Sequence, residues 1–442
     1  MGASSGSGRA FGGIRVKKPD GCQALSPAGS SMQLRNGCSQ KGTRMPGSIR
    51  FEGEYFMTIK AHYAGLATGI VSMATVLGVA PAAHAFDFKL KGQVNRAVIA
   101  SDNGKSTDAG LVDNHSSPSR FGFTGTQDVS PNLKVGFEYV MALATNTSSE
   151  YDVNGSQKGN AIENRQANVF FEGNYGKLTF GRTDGAANST SKVDLSGLTD
   201  LGGGSVVDDY FGGLSFVDGA GNVGPSLKNG YSNFDALSRQ NTVRYDTPSF
   251  AGATLSVSYD QGQAIEVAPR YKHKFANDVK VEAALDYVDS GNQDKTLNAA
   301  GNFANNSGPN RNSSFQEFGG SASMLLPSGL NFFAQYKRRN YSNTFYTDGA
   351  SLDHAQSYSG GVGYIFGKNH VQAFFGQTDD LQSGNSQVRN YGVAYRYDLL
   401  KSVNMYASYH HLTGDNLVNR DGSSFKAKNM NVVFAGVRAK FF

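Results

Sequence analysis

The adjacent residues His410 and His411 have the side chains in this sequence that most suggest catalysis. A hydrolase would need such an imidazole beside a nucleophile and an orienting carboxylate. The pair ends the stretch VNMYASYHH, whose alternation is typical of a β-strand, and neighbouring residues of a strand face opposite sides. The two imidazoles therefore cannot share one site. We find no convincing Ser/His/Asp arrangement, phosphate-binding loop or zinc-ligand spacing, so we expect no enzymatic activity, no metal and no cofactor.

Residues 57–85 have the order of features found in a secretory signal peptide. One cation, Lys60, precedes an apolar run from Leu66 to Ala80, and the segment ends in a small-x-small motif at Ala85. The run of about 15 residues is shorter than the roughly 20 residues that a transmembrane helix needs. We therefore predict cleavage between Ala85 and Phe86 and export of the remaining chain.

The composition changes when this leader is removed. Residues 1–56 are rich in glycine and serine and have no periodicity, so we expect no packed structure there and place the true start at Met57. The whole sequence has a net charge of +5, but without residues 1–85 it carries 32 basic and 33 acidic side chains. This near-neutral balance argues against nucleic-acid binding. Cys22 and Cys38 also lie in the leader, which excludes a disulfide or Cys-based metal site in the mature chain.

Residues 86–442 contain repeated stretches in which apolar and polar side chains alternate. In NDVKVEAALDY, for example, Leu285 and Tyr287 flank Asp286, which predicts a strand with one apolar and one polar face. Sixteen such segments can be distinguished. Short connections such as SPN and PSG alternate with long polar loops, which is the asymmetry of an outer-membrane barrel.

The charges on the polar faces favour a membrane barrel over a soluble β-sandwich. A sandwich core could not bury unpaired Lys, Arg, Glu and Asp, whereas a sixteen-stranded barrel keeps them hydrated in its lumen. We therefore predict an all-β fold, a transmembrane antiparallel up-and-down β-barrel of about 16 strands. Two residues depart from the pattern. Pro269 predicts a bulge or a late start in segment 264–275, and Arg96 alternates onto the lipid side, which predicts a position near the interface or after a bulge.

The order and spacing of four stretches resemble the Gram-negative general diffusion porins, particularly the sixteen-stranded trimeric type. The stretches are SRFGFTGTQDVSPNLKVGFEY (119–139), NRQANVFFEGNYGKLTFGR (164–182), NTVRYDTPSFAGATLSVSY (241–259) and GVRAKFF (436–442). The resemblance extends over the whole chain from Phe86 to Phe442. It implies that residues 184–238, between the fifth and sixth strands, form a constriction loop that folds into the lumen and narrows it.

The resemblance also implies that acids on this loop face cations on the barrel wall. Such an arrangement would create a transverse field that aligns polar solutes and impedes apolar ones. The net charge of the mature chain leaves the sign of ion selectivity open. The loop acids are Asp194, Asp200, Asp208 and Asp209, and the matching wall positions are Arg120, Arg182 and Arg244.

Alternation supports only some of these wall positions. Arg120 and Arg244 have the parity of lumen-facing residues. Arg182 shares the parity of the apolar Phe180 unless Gly181 forms a bulge. Four further cations face the lumen by alternation alone: Lys337, Arg339, Arg396 and Arg438.

The chain ends in Phe441 and Phe442, and a terminal Phe is similar to the porin family's signal for the outer-membrane assembly machinery. The resemblance further implies a homotrimer surrounded by outer-membrane lipid and lipopolysaccharide. We expect an outer-membrane channel for passive diffusion of ions and small hydrophilic solutes. The alternative is a channel specific for a sugar, an anion or a carboxylate on the same barrel. The loop contains neither the aromatic run nor the lysine cluster of such a channel, which favours general diffusion.

Overall fold

The computed structural model describes most of the chain after the expected leader. The described residues are 86–153, 161–291, 314–346, 349–419 and 421–441. The predicted segments 1–56 and 57–85, the cleavage-site residue Ala85 and the terminal Phe442 lie outside these ranges.

Sixteen antiparallel strands form one sheet in which each strand pairs with the strands before and after it in sequence. The predicted all-β, up-and-down architecture is therefore confirmed. The strands are β1 (Asp87–Asp102), β2 (Arg120–Ser130), β3 (Leu133–Ala144), β4 (Ala161–Gly173), β5 (Gly176–Asp184), β6 (Arg239–Asp246), β7 (Ala253–Asp260), β8 (Ile265–Lys274), β9 (Lys280–Asp289), β10 (Ser314–Leu325), β11 (Leu330–Ser342), β12 (His354–Phe366), β13 (Asn369–Asp379), β14 (Gln387–Leu400), β15 (Val403–Asp415) and β16 (Met430–Phe441).

Pairing between the first and last strands closes the sheet into a barrel. β1 pairs with β16 from Gly92↔Phe441 to Asp102↔Asn431. The other edge of β1 pairs with β2 in its first half and with the short strand Thr107–Asp113 in its second half. Closure leaves the described sheet without an edge strand, which is the condition for a β-sheet to span a bilayer.

The alternation read from the sequence corresponds to the two faces of the barrel wall. On β9, Leu285 is 60% exposed and Tyr287 is 44% exposed on the outer face, while Asp286 between them is only 7% exposed and points inward. On β15, Met405 and Tyr409 are likewise exposed on the outer face. The strands thus present apolar side chains outward and polar side chains inward, as predicted.

Two residues that depart from the strand pattern have local structural solutions. Arg96 keeps its outward parity, but its guanidinium donates hydrogen bonds to the backbone and side chain of Thr145 at 2.9 Å and lies 3.6 Å from Asp113. Its charge is therefore paired with Asp113 at the end of the short strand Thr107–Asp113, and Thr145 beyond β3 accepts its hydrogen bonds. Pro269 lies within β8 rather than before it, and the ladder to β9 is interrupted between Val267 and Arg270. The interruption accommodates the missing N–H of proline.

The remaining elements are short. No helix in the described part of the chain has the length and apolarity needed to span a bilayer. The short elements outside the sixteen barrel strands are the strands Thr107–Asp113, Ser215–Val217, Val223–Ser226, Leu417–Val418 and Ser424–Phe425, the 3₁₀ turn Ser148–Glu150, and the helices α1 (Val207–Phe211) and α2 (Leu227–Gly230).

An arginine on the outer face of β9 should lower the free energy of unfolding more than an arginine on its inner face. Leu285→Arg places a guanidinium on the outer face near the middle of β9, and we expect it to lower the free energy of unfolding by about 2–4 kcal/mol. Glu282→Arg, on the inner face of the same strand, should cost much less because the lumen is hydrated. Urea titration in lipid vesicles, followed by the gel mobility of folded and unfolded protein, measures both. Equal costs would contradict the assignment of the two faces.

Candidate functional site

The chain between β5 and β6, residues 185–238, lies inside the barrel and runs along its wall; we call it the inner loop. The Ala186 N–H donates to Ser258 Oγ at 3.0 Å, and the Val193 N–H donates to Ser321 Oγ at 2.8 Å. Both serines are on inward-facing positions, in β7 and β10. Wall hydroxyls therefore pair with backbone groups that the loop does not pair within itself.

The farthest part of the inner loop is held by β13 and β14. The Nδ1 atom of His370 lies 2.7 Å from the carbonyl oxygen of Ser196. The Arg396 Nη1 group donates to the carbonyl oxygen of Gly197 at 2.8 Å. The loop thus reaches from the wall at β7 across to the wall at β14.

An apolar core fixes the middle of the inner loop against the opposite wall. Tyr210 and Phe211 of α1 pack on Phe434 of β16, with ring centroids 5.7 and 5.4 Å apart. The fully buried His410 belongs to this core, its ring 4.8 Å from that of Phe211. His411 follows it on the other face of β15, so the two imidazoles are separated as the alternation predicted.

The inner loop leaves a cavity of about 750 Å³ between itself and the uncovered wall. Cations on five different strands line one side of this cavity, and carboxylates of the inner loop line the other. The wall cations are Lys91, Arg120, Arg165, Arg239 and Lys440, and the loop carboxylates are Asp200, Asp208, Asp209 and Asp235. The charged lining also includes Glu138, Asp184, Lys192 and Arg339.

The wall cations differ in how strongly they are paired. Lys91 forms an ion pair with Glu138, and Arg239 Nε lies 3.1 Å from Asp184 Oδ1. The guanidinium groups of Arg120 and Arg165 form no hydrogen bond or ion pair with any residue that the structure describes. These two positive charges therefore face the cavity without a hydrogen-bonded counter-ion among the described residues.

One lysine neutralises part of the acidic side of the cavity. Lys192 Nζ lies 3.2 Å from Asp209 and 2.9 Å from Asp235. Burial raises the pKa of Asp208 to about 7, and the neighbouring charge of Asp209 adds to the shift. Burial also opposes ionisation of Asp209, but the Lys192 ammonium outweighs it and holds the pKa of Asp209 below its ordinary value. Of the two adjacent acids, Asp209 is thus the one that is ionised at neutral pH, and Asp208 holds its proton more strongly.

The cavity contains four of the seven predicted wall and loop residues: Arg120, Asp200, Asp208 and Asp209. Asp194 does not line it. The Asp194 carboxylate accepts hydrogen bonds from the Ser196 N–H, Thr199 Oγ1 and Gln372 Nε2, each at 2.8 Å. Its role is to fold the tip of the inner loop and attach it to β13.

Arg244 faces inward but lies outside the cavity. Its guanidinium forms an ion pair with Asp246 at 2.7 Å and donates to the carbonyl oxygens of Asp184 and Gly185 at 3.1 Å. It therefore supports the first residues of the inner loop instead of facing the cavity.

The predicted wall position of Arg182 needs correction. The ladders of β5 with β4 and β6 continue through Gly181 without a register shift, so Arg182 keeps the outward parity of Phe180. Its Nε donates to the carbonyl oxygen of Asn164 at 2.7 Å, and it does not line the cavity. Gly181 has φ +117°, but no extra residue is inserted there that would reverse the faces.

The four lumen cations predicted by alternation all lie on the inner face, and three of them contact the inner loop. Lys337 reaches Thr190 Oγ1, Arg339 donates to the Ala236 carbonyl, and Arg396 donates to the Gly197 carbonyl. Only Arg339 of the four also lines the cavity. Arg438, by contrast, donates to Asn404 Oδ1 of the neighbouring strand at 3.0 Å.

Sequence reasoning missed eight charged residues of the cavity: Lys91, Glu138, Arg165, Asp184, Lys192, Asp235, Arg239 and Lys440. Arg165 turns inward because a bulge opposite Val140 and Met141 shifts the register of β4, and alternation cannot reveal it. Lys440 has the lumen parity of Arg438 and could have been found from that signal. Arg239 adjoins the loop, where alternation ends, and Lys192 and Asp235 lie within it.

The comparisons with known proteins agree with this architecture. The family model for Gram-negative porins matches residues 70–417. The major outer membrane protein P.IB of Neisseria sicca is 27% identical over 226 residues, which are 50% of this chain and 54% of that protein. The chain thus spans about half the length of this curated relative.

Solved porin structures share the fold at low sequence identity. The anion-selective porin from Comamonas acidovorans has a TM-score of 0.56 at 17% identity, and the match covers 80% of this chain and 100% of that one. A loop-deletion mutant of OmpT from Vibrio cholerae has a TM-score of 0.51 at 13% identity, covering 81% and 100%. The match to porins also agrees with the expectation of a channel rather than an enzyme. Because the family model spans most of the sequence, the chain belongs to the Gram-negative porin family and is an outer-membrane protein.

Proposed function

We propose that the chain forms a water-filled channel through which ions and small hydrophilic solutes diffuse passively across the outer membrane. The observation that carries this proposal is the charged cavity inside the closed barrel, with wall cations such as Arg120 opposite loop acids such as Asp208. Opposed charges in a narrow passage create a transverse field. Polar solutes align in that field and pass, whereas apolar solutes would have to disrupt ordered water.

In this proposal the segment 184–238 is the constriction loop. Its backbone is hydrogen-bonded to wall residues from β7 to β14, so it occupies one side of the lumen. The passage is then confined to the other side, where the wall carries the unpaired Arg120 and Arg165. Diffusion through the remaining space would sort solutes by size and charge.

A preference for anions is a second candidate function, supported by the pairing of the charges. The cavity lining contains seven Lys and Arg side chains and six Asp and Glu side chains. Lys192 neutralises loop acids, while Arg120 and Arg165 have no direct partner among the described residues. The Comamonas acidovorans porin with the same fold is named anion-selective. An anion-specific channel is therefore the form of the substrate-specific alternative that these charges favour.

We propose that three copies associate through the outer face near β1 to β3, surrounded by outer-membrane lipid and lipopolysaccharide. An aromatic cluster is exposed there, with ring centroids of Phe88 and Phe123 5.1 Å apart and those of Phe123 and Tyr139 5.6 Å apart. Such a cluster can pack against another copy. Phe441 and Phe442 remain the proposed signal for the assembly machinery.

Residues 57–85 remain a proposed signal peptide. Mass spectrometry of the protein from outer membranes should give a mature chain that begins at Phe86. A mature chain that retains residues before Met57 would contradict both the cleavage site and the proposed start.

Removal of one wall cation should shift ion selectivity. Arg120→Gln removes a charge that points into the cavity without a partner, so we expect the reversal potential in a salt gradient to move toward cation preference. Asp208→Asn should move it in the opposite direction. Planar-bilayer recording measures both shifts, and Arg182→Gln provides a control with the same change in net charge. A shift for Arg182→Gln as large as that for Arg120→Gln would refute the proposed passage.

The selectivity should also change with pH. The pKa of Asp208 is raised to about 7, so this carboxylate is mostly ionised at pH 8 and mostly neutral at pH 6. Acidification removes one negative charge from the inner loop, and anion preference should increase with a midpoint near pH 7. Asp208→Asn should abolish this step, while Asp200→Asn should retain it. A step that persists in Asp208→Asn would assign the titration to another group.

A further inference from the structure

Lys337 is a fully buried cation on β11 that does not line the cavity. Its ammonium forms ion pairs with Asp286 of β9 and with Glu317 of β10, the latter at 2.9 Å. It also donates to Thr190 Oγ1 of the inner loop at 2.9 Å. A buried ammonium is tolerated only with such a set of partners.

The backbone of β10 is shaped to let Lys337 reach its partners. Asp286, Gly319 and Lys337 stand in one row across β9, β10 and β11. A Cβ atom on Gly319 would lie 2.8 Å from Lys337 Cα and 3.0 Å from its Cδ, and Gly319 has φ +144°. Glycine is required there because any side chain would fill the space that the lysine stem crosses.

The residues around Lys337 hold the inner loop near both of its ends. We call the segment around Thr190 its outgoing leg and the segment around Ala236 its returning leg. On the outgoing leg, Thr190 Oγ1 also donates to Asp286 at 2.6 Å. On the returning leg, the Ala236 N–H donates to Glu317 at 3.2 Å, and Arg339 donates to the Ala236 carbonyl at 3.1 Å. The two legs are thus tied to one neutral group of two carboxylates and two cations in the wall.

These attachments lie next to the charged side of the cavity. Lys192 follows Thr190 by two residues, Asp235 precedes Ala236, and these two charges pair at 2.9 Å. Any movement of the legs away from the wall would carry Lys192 and Asp235 with it. The Lys337 cluster therefore holds the parts of the inner loop that carry Lys192 and Asp235.

We propose that Lys337 is a positioning residue that latches the inner loop to the barrel wall and so sets the width of the passage. The effect on the width of the passage rests on the proposed channel function, whereas the attachment of the inner loop by Lys337 does not. Lumen cations thus have two roles: Arg120 acts on solutes directly, and Lys337 acts through the loop.

Loop position can be measured without recording a current. Leu195 and Ser323 are adjacent, with the Leu195 N–H 2.9 Å from Ser323 Oγ, and the only cysteines in the sequence are Cys22 and Cys38 in the leader. The pair Leu195→Cys and Ser323→Cys should therefore form a disulfide on oxidation. Adding Lys337→Met should reduce its yield and rate, because the leg that carries residue 195 is released from the wall. Unchanged disulfide formation in a folded barrel would overturn the latch.

The channel consequence is tested in the same proteins. Lys337→Met should replace one narrow conductance level by a broader distribution shifted to higher values, and oxidation of the cysteine pair should restore the original level. Reduction of the disulfide should broaden the conductance distribution again. A loss of stability alone would not explain this reversal. An unaltered conductance distribution in Lys337→Met would also count against the latch. If the parent protein crosslinks as expected but conducts no current, the channel proposal fails while the latch stands.

Two further variants guard against misfolding. Thr190→Val removes only the hydroxyl on the loop, leaves the wall cluster complete, and should give a weaker change of the same kind. Arg438→Met removes another buried inner cation, but one whose hydrogen bonds go to Asn404 and not to the inner loop. It should leave crosslinking unchanged. Equal effects of Arg438→Met and Lys337→Met would overturn the assignment to Lys337.

Discussion

Water is absent from the hydrocarbon region of a membrane, so every backbone N–H and C=O group there must be paired within the protein. In this chain the requirement is met when β16 returns to β1 and closes the sheet. Closure gives every strand one face toward lipid and one toward the interior. The outer face can then be apolar, and each polar group on the inner face must find water or a partner inside the barrel.

The inner loop divides that interior into two kinds of surface. Along β7 to β14, wall serines and buried ions pair with the loop backbone, as in the contacts of Ser258 and Ser321. On the side of β2 to β4 the wall is uncovered, and its cations face the cavity together with Lys91 in the first half of β1. Inward-facing residues thus bind the inner loop on one side of the barrel and face the cavity on the other.

Pairing also decides what each charge does. Lys337, Arg244 and Arg396 have carboxylate partners, so they hold structure and contribute little to the field in the cavity. Arg120 and Arg165 lack such partners among the described residues, and their charge extends across the cavity. Because unpaired charges in a narrow passage act over its whole width, a few residues can set the selectivity even though the charges of residues 86–442 nearly cancel.

The barrel itself could be predicted from the sequence because the two-residue period of a strand is a local property. The alternation of Leu285, Asp286 and Tyr287 shows which side chains face lipid. The same alternation predicts that Arg120 and Lys337 lie on the inner face. Resemblance to porins added the position of the loop. The family match and the closed sheet confirm this class of fold.

What only the tertiary structure decided is which inward-facing charges meet and which remain free. Alternation cannot show that a bulge turns Arg165 inward, that Gly181 leaves Arg182 outward, or that Lys192 neutralises Asp209 and Asp235. The loop has no period, and its path depends on contacts with strands more than a hundred residues away, such as that of Val193 with Ser321. Local sequence therefore determined the two faces of the wall, whereas long-range packing determined the passage between them.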